Sequence, residues 1–594
     1  MEPINFQSLI TALTADSEIS VSLFLPEISL SLFIALFLFV RLVSRRIDLF
    51  WVALIGSIVG LISCRPWELG SSAYAGEELF TGLLIHDGLT MAMRAILMGF
   101  LVLFLIFTKI SGIPDREDGA DVYSLIFGAT LGMCLMVAAN HLLVVFLAIE
   151  MASVPSYVMA ALMKGRRRGS EAGLKYAIYG AGAAGIMLYG ISLLTGLTHS
   201  AHLPTMALQL AEILPNMSAS EQAVLCLSAI MISAGVAFKL SAVPFHFWAP
   251  DVFHGACAEV NAFLSIASKA AALALLLRLA VGLGSVPLED KVDVVQSHGV
   301  VAAVVLEPTE AVTLLQKPGS IQPVTMVALE DSSDAAEPAV ETLTDPRVVR
   351  KARKDAQLAP VRNFIGMLVA LFAVITTTFG NLAAYGQTNI KRMLAYSTIA
   401  HAGYMIMAIC PLMALLGVDA GGAENAASSL LQYIVVYVFM NLGAFAIVAF
   451  LRNYVGSEEI ADYSGMIKTR PVLVICLALI FFSLVGLPPL AGFLGKFAIF
   501  ASITEGYTTT GSSYLMAILV VAGINTAISL FYYLAVIKTM VMGELATVPA
   551  AGNLAVGRME TIYVLAITLP TALLIVCWEW VAHVAQSSVV WFIA

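Results

Sequence analysis

The chain has 594 residues, 60% of them hydrophobic and only 12% charged, and its mean hydropathy is +0.91. Such a composition excludes a soluble globular domain, and a formal net charge of −9 offers no basic face for nucleic acid. Seven scattered cysteines without a Cys-x-x-Cys pair argue against a disulfide framework, an iron–sulfur cluster or a metal site.

The first 19 residues carry Glu2, Asp16 and Glu18 and no lysine or arginine. That is the wrong charge for a signal peptide, so the N-terminus is expected to be retained. A bilayer core of about 30 Å takes roughly 20 apolar residues per helix. With that ruler the chain is expected to be an all-α polytopic membrane protein of fourteen transmembrane helices. They lie near 20–42, 49–64, 89–110, 121–138, 140–163, 171–196, 222–252, 256–283, 361–384, 389–415, 426–452, 471–503, 512–541 and 559–584. The seventh and twelfth are too long for one straight span. Each is interrupted by proline, at Pro244 and at Pro488-Pro489, so each is expected to be a broken helix whose freed backbone groups lie inside protein.

Sixteen lysines and arginines fall in loops that follow odd-numbered helices, and one, Arg65, follows an even-numbered helix. By the positive-inside rule both termini are then expected on the non-cytoplasmic side. Residues 285–360, between helices 8 and 9, carry twelve acidic and seven basic residues. The valine-rich stretches 300–305 and 324–329 flank Pro318-Gly319-Ser320, a pattern that suggests a small, possibly β-rich extramembrane insertion. It is expected to be accessory.

Seven basic residues remain within the apolar segments: Arg94, Lys175, Lys239, Lys269, Arg278, Arg362 and Lys496. The three arginines fall toward helix ends and are expected to snorkel to the interface. A lysine near the bilayer centre costs a few kcal/mol even on the mildest insertion scale, so it is normally retained for ion or proton movement. Lys269 stands twelve residues after Cys257, about 18 Å along a helix and so near the bilayer middle. Removing an ammonium from water disfavours its charged form, which lets a buried lysine take up and release a proton. A purely packing lysine, bonded to the carbonyls of a neighbouring helix, is the competing reading. Lys239 and Lys496 adjoin the two proline-interrupted segments, a pairing that points to a transport site.

Glu150 ends the apolar run from His141 and is the expected partner of Lys239. Glu171 and Lys175 are spaced i,i+4 at the start of helix 6, where a relay role competes with a plain interfacial salt bridge. His246, His254 and His401 can relay protons, because histidine titrates near neutral pH; structural hydrogen bonds are the alternative for each.

The run Lys239-Leu-Ser-Ala-Val-Pro-Phe-His-Phe-Trp-Ala-Pro-Asp-Val-Phe-His-Gly-Ala256 closely resembles the antiporter-like subunits of respiratory complex I. The version is that of subunit N of the proton-pumping NADH–quinone oxidoreductase. Glu171-Ala-Gly-Leu-Lys175-Tyr, Ala267-Ser-Lys269-Ala, Gln387-Thr-Asn-Ile-Lys-Arg-Met-Leu-Ala-Tyr-Ser397 and Gly486-Leu-Pro-Pro-Leu-Ala-Gly-Phe-Leu-Gly-Lys496-Phe match it too. The resemblance covers essentially the whole chain apart from 285–360.

It implies three N-terminal helices in 1–120 and two inverted five-helix repeats, helices 4–8 in 121–284 and helices 9–13 in 361–541. A C-terminal loop and helix 14 fill 542–594. The proton relay implied is Glu150 on helix 5, Lys239 at the helix-7 break, Lys269 at the centre of helix 8 and Lys496 at the helix-12 break. The implied function is that of a membrane-arm subunit of a proton-translocating translocase that couples quinone reduction by NADH to pumping. NADH, FMN, iron–sulfur clusters and quinone serve the complex, and this subunit is expected to bind no cofactor and no metal. Its partners are the other subunits, especially antiporter-like and small membrane-arm ones, and the lipid bilayer. A subunit of a multi-subunit sodium/proton antiporter or of a membrane-bound hydrogenase shares the same lysines and is the alternative. Cys257 and Glu259 stand where many relatives have prolines.

Overall fold

The computed structural model describes residues 6–43, 47–69, 76–113, 119–163, 167–287, 346–544 and 557–593. Among them, twelve helices are long and apolar enough to cross a membrane, or up to fourteen if each of two bent pairs counts as one span. The chain is therefore an all-α multi-span membrane protein.

It begins with α1 (Phe6–Leu23), α2 (Leu25–Val43) and α3 (Phe50–Ser63). The first span thus starts at Leu25 rather than at residue 20, and a separate helix precedes it. Pro26 explains the boundary, since a residue without an N–H is tolerated in the first turn of a helix and not in its interior. A short antiparallel hairpin, β1 (Glu77–Leu79) and β2 (Leu84–His86), pairs Glu78 with Ile85. Then come α4 (Gly88–Ser111), α5 (Gly119–Ala138), α6 (Leu142–Ala160), α7 (Arg167–Thr198) and the short α8 (Leu203–Ile213). The expected seventh span is two helices, α9 (Ala219–Leu240) and α10 (Trp248–Gly255), and α11 (Ala258–Gly284) follows.

Residues 346–357 form α12 (Pro346–Gln357), which leads through Leu358 into α13 (Ala359–Ala384). The expected valine-rich hairpin at 300–305 and 324–329 lies outside the described residues. The flanks of the insertion are not accessory, however. Val286 and Leu358 are buried with Ala207, Leu210 and Ala211 of α8, and the Asp355 carboxylate accepts a hydrogen bond from the Val286 amide at 2.7 Å. The remaining elements are α14 (Ile390–Met407), α15 (Ile409–Leu415), α16 (Ala420–Val455), α17 (Pro471–Val485), α18 (Ala491–Thr510), α19 (Ser513–Met542), α20 (Arg558–Leu573), α21 (Trp578–Ser587) and α22 (Val590–Ile593). The core runs along α11, α14 and α16, which are almost wholly buried, while α2 and α19 expose most of their surface.

Both expected breaks are present, and each has its backbone groups met inside the protein. After α9, Ser241 adopts a left-handed φ of 57°, the Trp248 indole donates to the Phe238 carbonyl at 2.9 Å, and the Val243 amide donates to Thr376 Oγ1 at 3.0 Å. After α17, Gly486 takes φ 91°, a conformation that favours glycine. The Gly492 amide donates to Ser483 Oγ at 3.0 Å. The break spans residues 486–490, so α18 has already resumed before Lys496.

The arginines correct the expectation of snorkelling. Arg94 is only 1% exposed and pairs with the fully buried Glu27 at 2.7 Å. Arg278 grips Asp87 with both terminal nitrogens, at 3.0 and 2.9 Å. The same carboxylate caps α4 by accepting from the Thr90 amide at 2.8 Å, so one side chain both starts a helix and neutralises a cation on α11. Arg362 is buried as well and donates to the Gly284 carbonyl at 3.0 Å. Lys391, in the first turn of α14, is likewise buried, between Glu458 at 2.8 Å and the Ala256 carbonyl at 2.7 Å.

Removing one partner of a buried pair strands the other charge and costs about 3–5 kcal/mol. Asp87→Ala should therefore lower the thermal unfolding midpoint of the purified protein markedly, and Asp87→Ala with Arg278→Met should recover most of the loss. An unchanged midpoint in the single variant would show that Arg278 has an alternative partner.

Candidate functional site

Lys239 lies in the last turn of α9 and is 1% exposed. Its Nζ donates to Ser153 Oγ at 3.0 Å, and that hydroxyl donates to the Ile149 carbonyl at 2.6 Å. Glu150 lies one turn before Ser153 on α6 and is half-buried. It is the charged group that acts on Lys239, yet the two are not in ion-pair contact among the described residues. The expected pair is open, with Ser153 holding the ammonium.

Lys269 sits near the middle of α11 and is also 1% exposed. Its Nζ donates to the Thr398 carbonyl at 2.9 Å and to Thr398 Oγ1 at 3.3 Å. Thr398 belongs to α14, as do His401 and Tyr404 at intervals of three residues, which stacks the three side chains on one helix face. His401 is buried between two tyrosines: its Nδ1 lies 2.6 Å from the Tyr433 hydroxyl and its Nε2 lies 3.3 Å from the Tyr533 hydroxyl. Tyr533 continues to Ser397.

Lys496, 3% exposed, closes the line. Its Nζ donates to the Val485 carbonyl at 2.9 Å, a group freed by the break after α17, and stands 4.4 Å from the centre of the Tyr404 ring. A cation over an aromatic face is attracted to the ring's negative π surface. Gly486 permits this approach, because a Cβ there would come within 3.1 Å of Lys496 Cδ. Lys269 through Thr398, and Lys496 through the Tyr404 ring, thus meet the face of α14 that carries His401, a row of polar side chains in which Thr398, His401 and Tyr404 are not hydrogen-bonded to one another among the described residues. Lys239 is not hydrogen-bonded to that row; its contacts end at Ser153.

The secondary candidates separate into two groups. Glu171 and Lys175 form the i,i+4 pair at 2.9 Å, and Lys175 also reaches Asp251 at 2.8 Å, all three on exposed or half-exposed surface. His254 is beside Arg168, with 3.5 Å between the imidazole Nε2 and the guanidinium. They belong to a charged belt at the α10–α11 end, where the buried Glu259 also meets Arg452 at 3.3 Å. His246 is buried in the break after Pro244, packed against Phe247 and Phe379. Only His401 joins the lysine row.

Sequence reasoning missed Ser153, Asp251, Thr398, Tyr404, Tyr433 and Tyr533. The 398–401–404 spacing within an apolar helix was a usable signal for two of them. Tyr433 and Tyr533 come from α16 and α19, and nothing in their local sequence marks them. Among the described residues no group of three His, Cys, Asp or Glu side chains has metal-ligating geometry.

The family model described as "NADH:quinone oxidoreductase/Mrp antiporter, TM" matches residues 139–295 and 352–525. Curated relatives include "NADH-quinone oxidoreductase subunit N" of Anaeromyxobacter sp., 32% identical over 87% of this chain and 86% of that one. Another is "NADH-quinone oxidoreductase subunit N 2" of Sorangium cellulosum, 34% identical over 95% and 96%. Among solved structures, a chain of respiratory complex I from Thermus thermophilus is 24% identical, with a TM-score of 0.64 over 94% of this chain and 98% of that one. A chain of the Mrp complex from Dietzia sp. is 15% identical, with a TM-score of 0.67 over 97% of each. Both share the fold.

Ser153→Ala should leave the Lys239 ammonium without its acceptor, at a cost of about 1–3 kcal/mol. Thermal unfolding of the purified protein should register the loss, and Ser153→Thr should restore it. Equal midpoints for all three proteins would mean that Lys239 finds another acceptor.

Proposed function

The chain belongs to the family of antiporter-like membrane subunits that includes subunit N of NADH-quinone oxidoreductase, and from that premise we propose that it moves protons within the membrane arm of such an enzyme. Glu150, Lys239, Lys269 and Lys496 are the carriers, and His401 is a relay between the last two. The observation that supports this most is that Lys269 and Lys496 both meet the face of α14 that carries His401, Lys269 at Thr398 and Lys496 at the Tyr404 ring. A structural role would need hydrogen bonds for each lysine separately. It would not need a buried imidazole on the same helix face, hydrogen-bonded to two tyrosine hydroxyls.

In this reading the 121–284 and 361–541 segments are the two inverted repeats, and the breaks beside Lys239 and Lys496 are their equivalent points. The membrane is the bacterial inner membrane and both termini lie on its non-cytoplasmic side. NADH oxidation and quinone reduction take place in partner subunits that carry FMN and iron–sulfur clusters, and no redox group resides here. A signal from those partners moves Glu150 relative to Lys239. Approach of the carboxylate holds the ammonium; withdrawal favours transfer of its proton toward Lys269. Protonation of Lys269 then repels charge further along the row, and a proton leaves from Lys496 by the hydratable backbone of the 486–490 break. His401 accepts on one ring nitrogen and donates from the other, so it carries a proton without net change. Glu171, Lys175 and His254, in the charged belt, are the expected entry.

Arginine keeps a positive charge and does not release its proton at physiological pH. Lys269→Arg should therefore reduce proton pumping severalfold, in the assembled complex reconstituted into vesicles with a pH-sensitive dye, while subunit composition is preserved. Wild-type pumping in that variant would assign Lys269 to packing.

At the exit, Lys496→Met removes the titratable group and Lys496→Glu replaces it with one of opposite sign. The methionine variant should pump several times more slowly than the wild type, and the glutamate variant should retain more activity than the methionine variant. Near-normal pumping in both would place the exit elsewhere.

A further inference from the structure

Between the charged belt and Lys239 stand four aromatic side chains from four helices. Tyr176 of α7 stacks on Trp248 of α10, with ring centres 4.3 Å apart and planes within 8°. Tyr157 of α6 meets Tyr176 edge-on at 4.7 Å, and the Phe238 ring of α9 lies 5.4 Å from that of Trp248. On the belt side, Lys175 precedes Tyr176 in the chain and donates to Asp251 at 2.8 Å, three residues after Trp248 on α10. On the other side, Phe238 precedes Lys239. Glu150, Ser153 and Tyr157 are spaced i, i+3 and i+7 and so share one face of α6, the face whose Ser153 holds the Lys239 ammonium.

Tyr176 is 0% exposed, and its hydroxyl has no hydrogen-bond partner among the described residues. Phenylalanine would stack on Trp248 as well without burying a polar group, so the ring alone does not account for the oxygen. A buried O–H in so apolar a setting is met by water. The backbone makes room on the same face of α7. Gly180, four residues after Tyr176, lies so close to the Tyr157 hydroxyl that a Cβ there would collide with it. Gly173, three residues before Tyr176, lets the two helices approach in the same way, since a Cβ there would come within 2.6 Å of Ala161 Cβ on the last turn of α6. The two glycines thus seat the Tyr157 side chain against the stretch of α7 that carries Tyr176.

Resting on the reading that Lys239 is a carrier, we propose that the Tyr176 and Tyr157 hydroxyls share a water molecule and are the step by which protons reach Lys239 from the charged belt. The Tyr176 oxygen accepts a proton from water on the belt side and gives up its own, through the shared water, to Tyr157. Tyr157 does the same toward Ser153, and the proton ends on the neutral amine of Lys239. Each hydroxyl is left as it began. The charged and titratable groups on the elements packed against α7 here are Glu150 and Tyr157 of α6, Lys239 of α9, and Asp251 and His254 of α10, with Glu171 and Lys175 on α7 itself.

The test measures proton pumping by the whole complex in vesicles, with the pH on the belt side varied and the opposite side held fixed. A delivery step limits turnover most when protons are scarce. Tyr176→Phe should therefore slow pumping severalfold at alkaline belt-side pH and approach the wild-type rate as that pH falls, with subunit composition preserved. Its thermal unfolding midpoint should not drop, because the change removes a hydroxyl that bonds to no protein group. Tyr157→Phe should show the same pH-dependent deficit, and the double variant should be no slower than the slower single one, since both act on one step. Wild-type pumping by Tyr176→Phe at every pH would overturn the proposal. So would a deficit that is equal at every pH or that comes with a lower midpoint, either of which marks a packing role, and so would losses that multiply in the double variant. Lys269→Arg, run alongside, separates this step from the carriers. Normal pumping in that variant would bring down the carrier reading and this step with it, whereas its impairment beside a normal Tyr176→Phe would remove the delivery step alone.

Discussion

A cation buried among membrane helices has no water to turn to, and the cost of leaving it unpaired decides much of this architecture. The protein meets that cost in two ways. Toward one end of the bundle it uses full neutralisation: Arg94 with Glu27, and Arg278 with both oxygens of Asp87. In the interior it uses neutral acceptors instead, a serine hydroxyl for Lys239, a threonine carbonyl and hydroxyl for Lys269, and a helix-end carbonyl with a tyrosine ring for Lys496. The first solution is static, because a bidentate guanidinium–carboxylate pair has no reason to part. The second leaves each ammonium on neutral acceptors, with no carboxylate in contact among the described residues.

Helix breaks follow from the same constraint. A carbonyl released from helical pairing inside a membrane is costly unless something bonds to it. At the second break the freed Val485 carbonyl is the acceptor for Lys496. Two problems, an unpaired backbone group and an unpaired ammonium, solve one another. At the first break the indole of Trp248 takes the Phe238 carbonyl, and Lys239 turns away toward α6. The two breaks are therefore alike in backbone and different in what they offer their lysine, a serine hydroxyl of another helix for Lys239 and a freed carbonyl for Lys496.

The position of His401 links these features. It stands on α14, the most enclosed of the long helices, with a tyrosine hydroxyl at each ring nitrogen. Placing a titratable ring there demands that α11, α14, α16, α18 and α19 pack closely. Gly495 lets α18 approach α16, since a Cβ there would come within 2.5 Å of the Tyr433 ring.

The sequence by itself determined the membrane class, the two breaks and the three interior lysines, because each depends on local composition; its fourteen spans stand at the upper end of the twelve to fourteen in the structure. About 20 apolar residues make a span, proline ends a helix, and an ammonium is too costly in an apolar run to be kept there without a task. The family was legible too, through the motif from Lys239 to Ala256. What only the tertiary structure decided is partnership. Arg94, Arg278 and Arg362 look like interfacial residues from their distance to helix ends, yet they are buried, because Glu27, Asp87 and the Gly284 carbonyl come to them from other helices. Lys391, in the first turn of α14, is buried against Glu458 for the same reason. Glu150 and Lys239 are near each other as expected but not joined, and His401 separates from His246 and His254 only when α16 and α19 bring tyrosines to it. Periodicity reports which face of a helix is apolar; it carries no information about which distant side chain will meet that face, and a buried charge is settled by its partner rather than by its position.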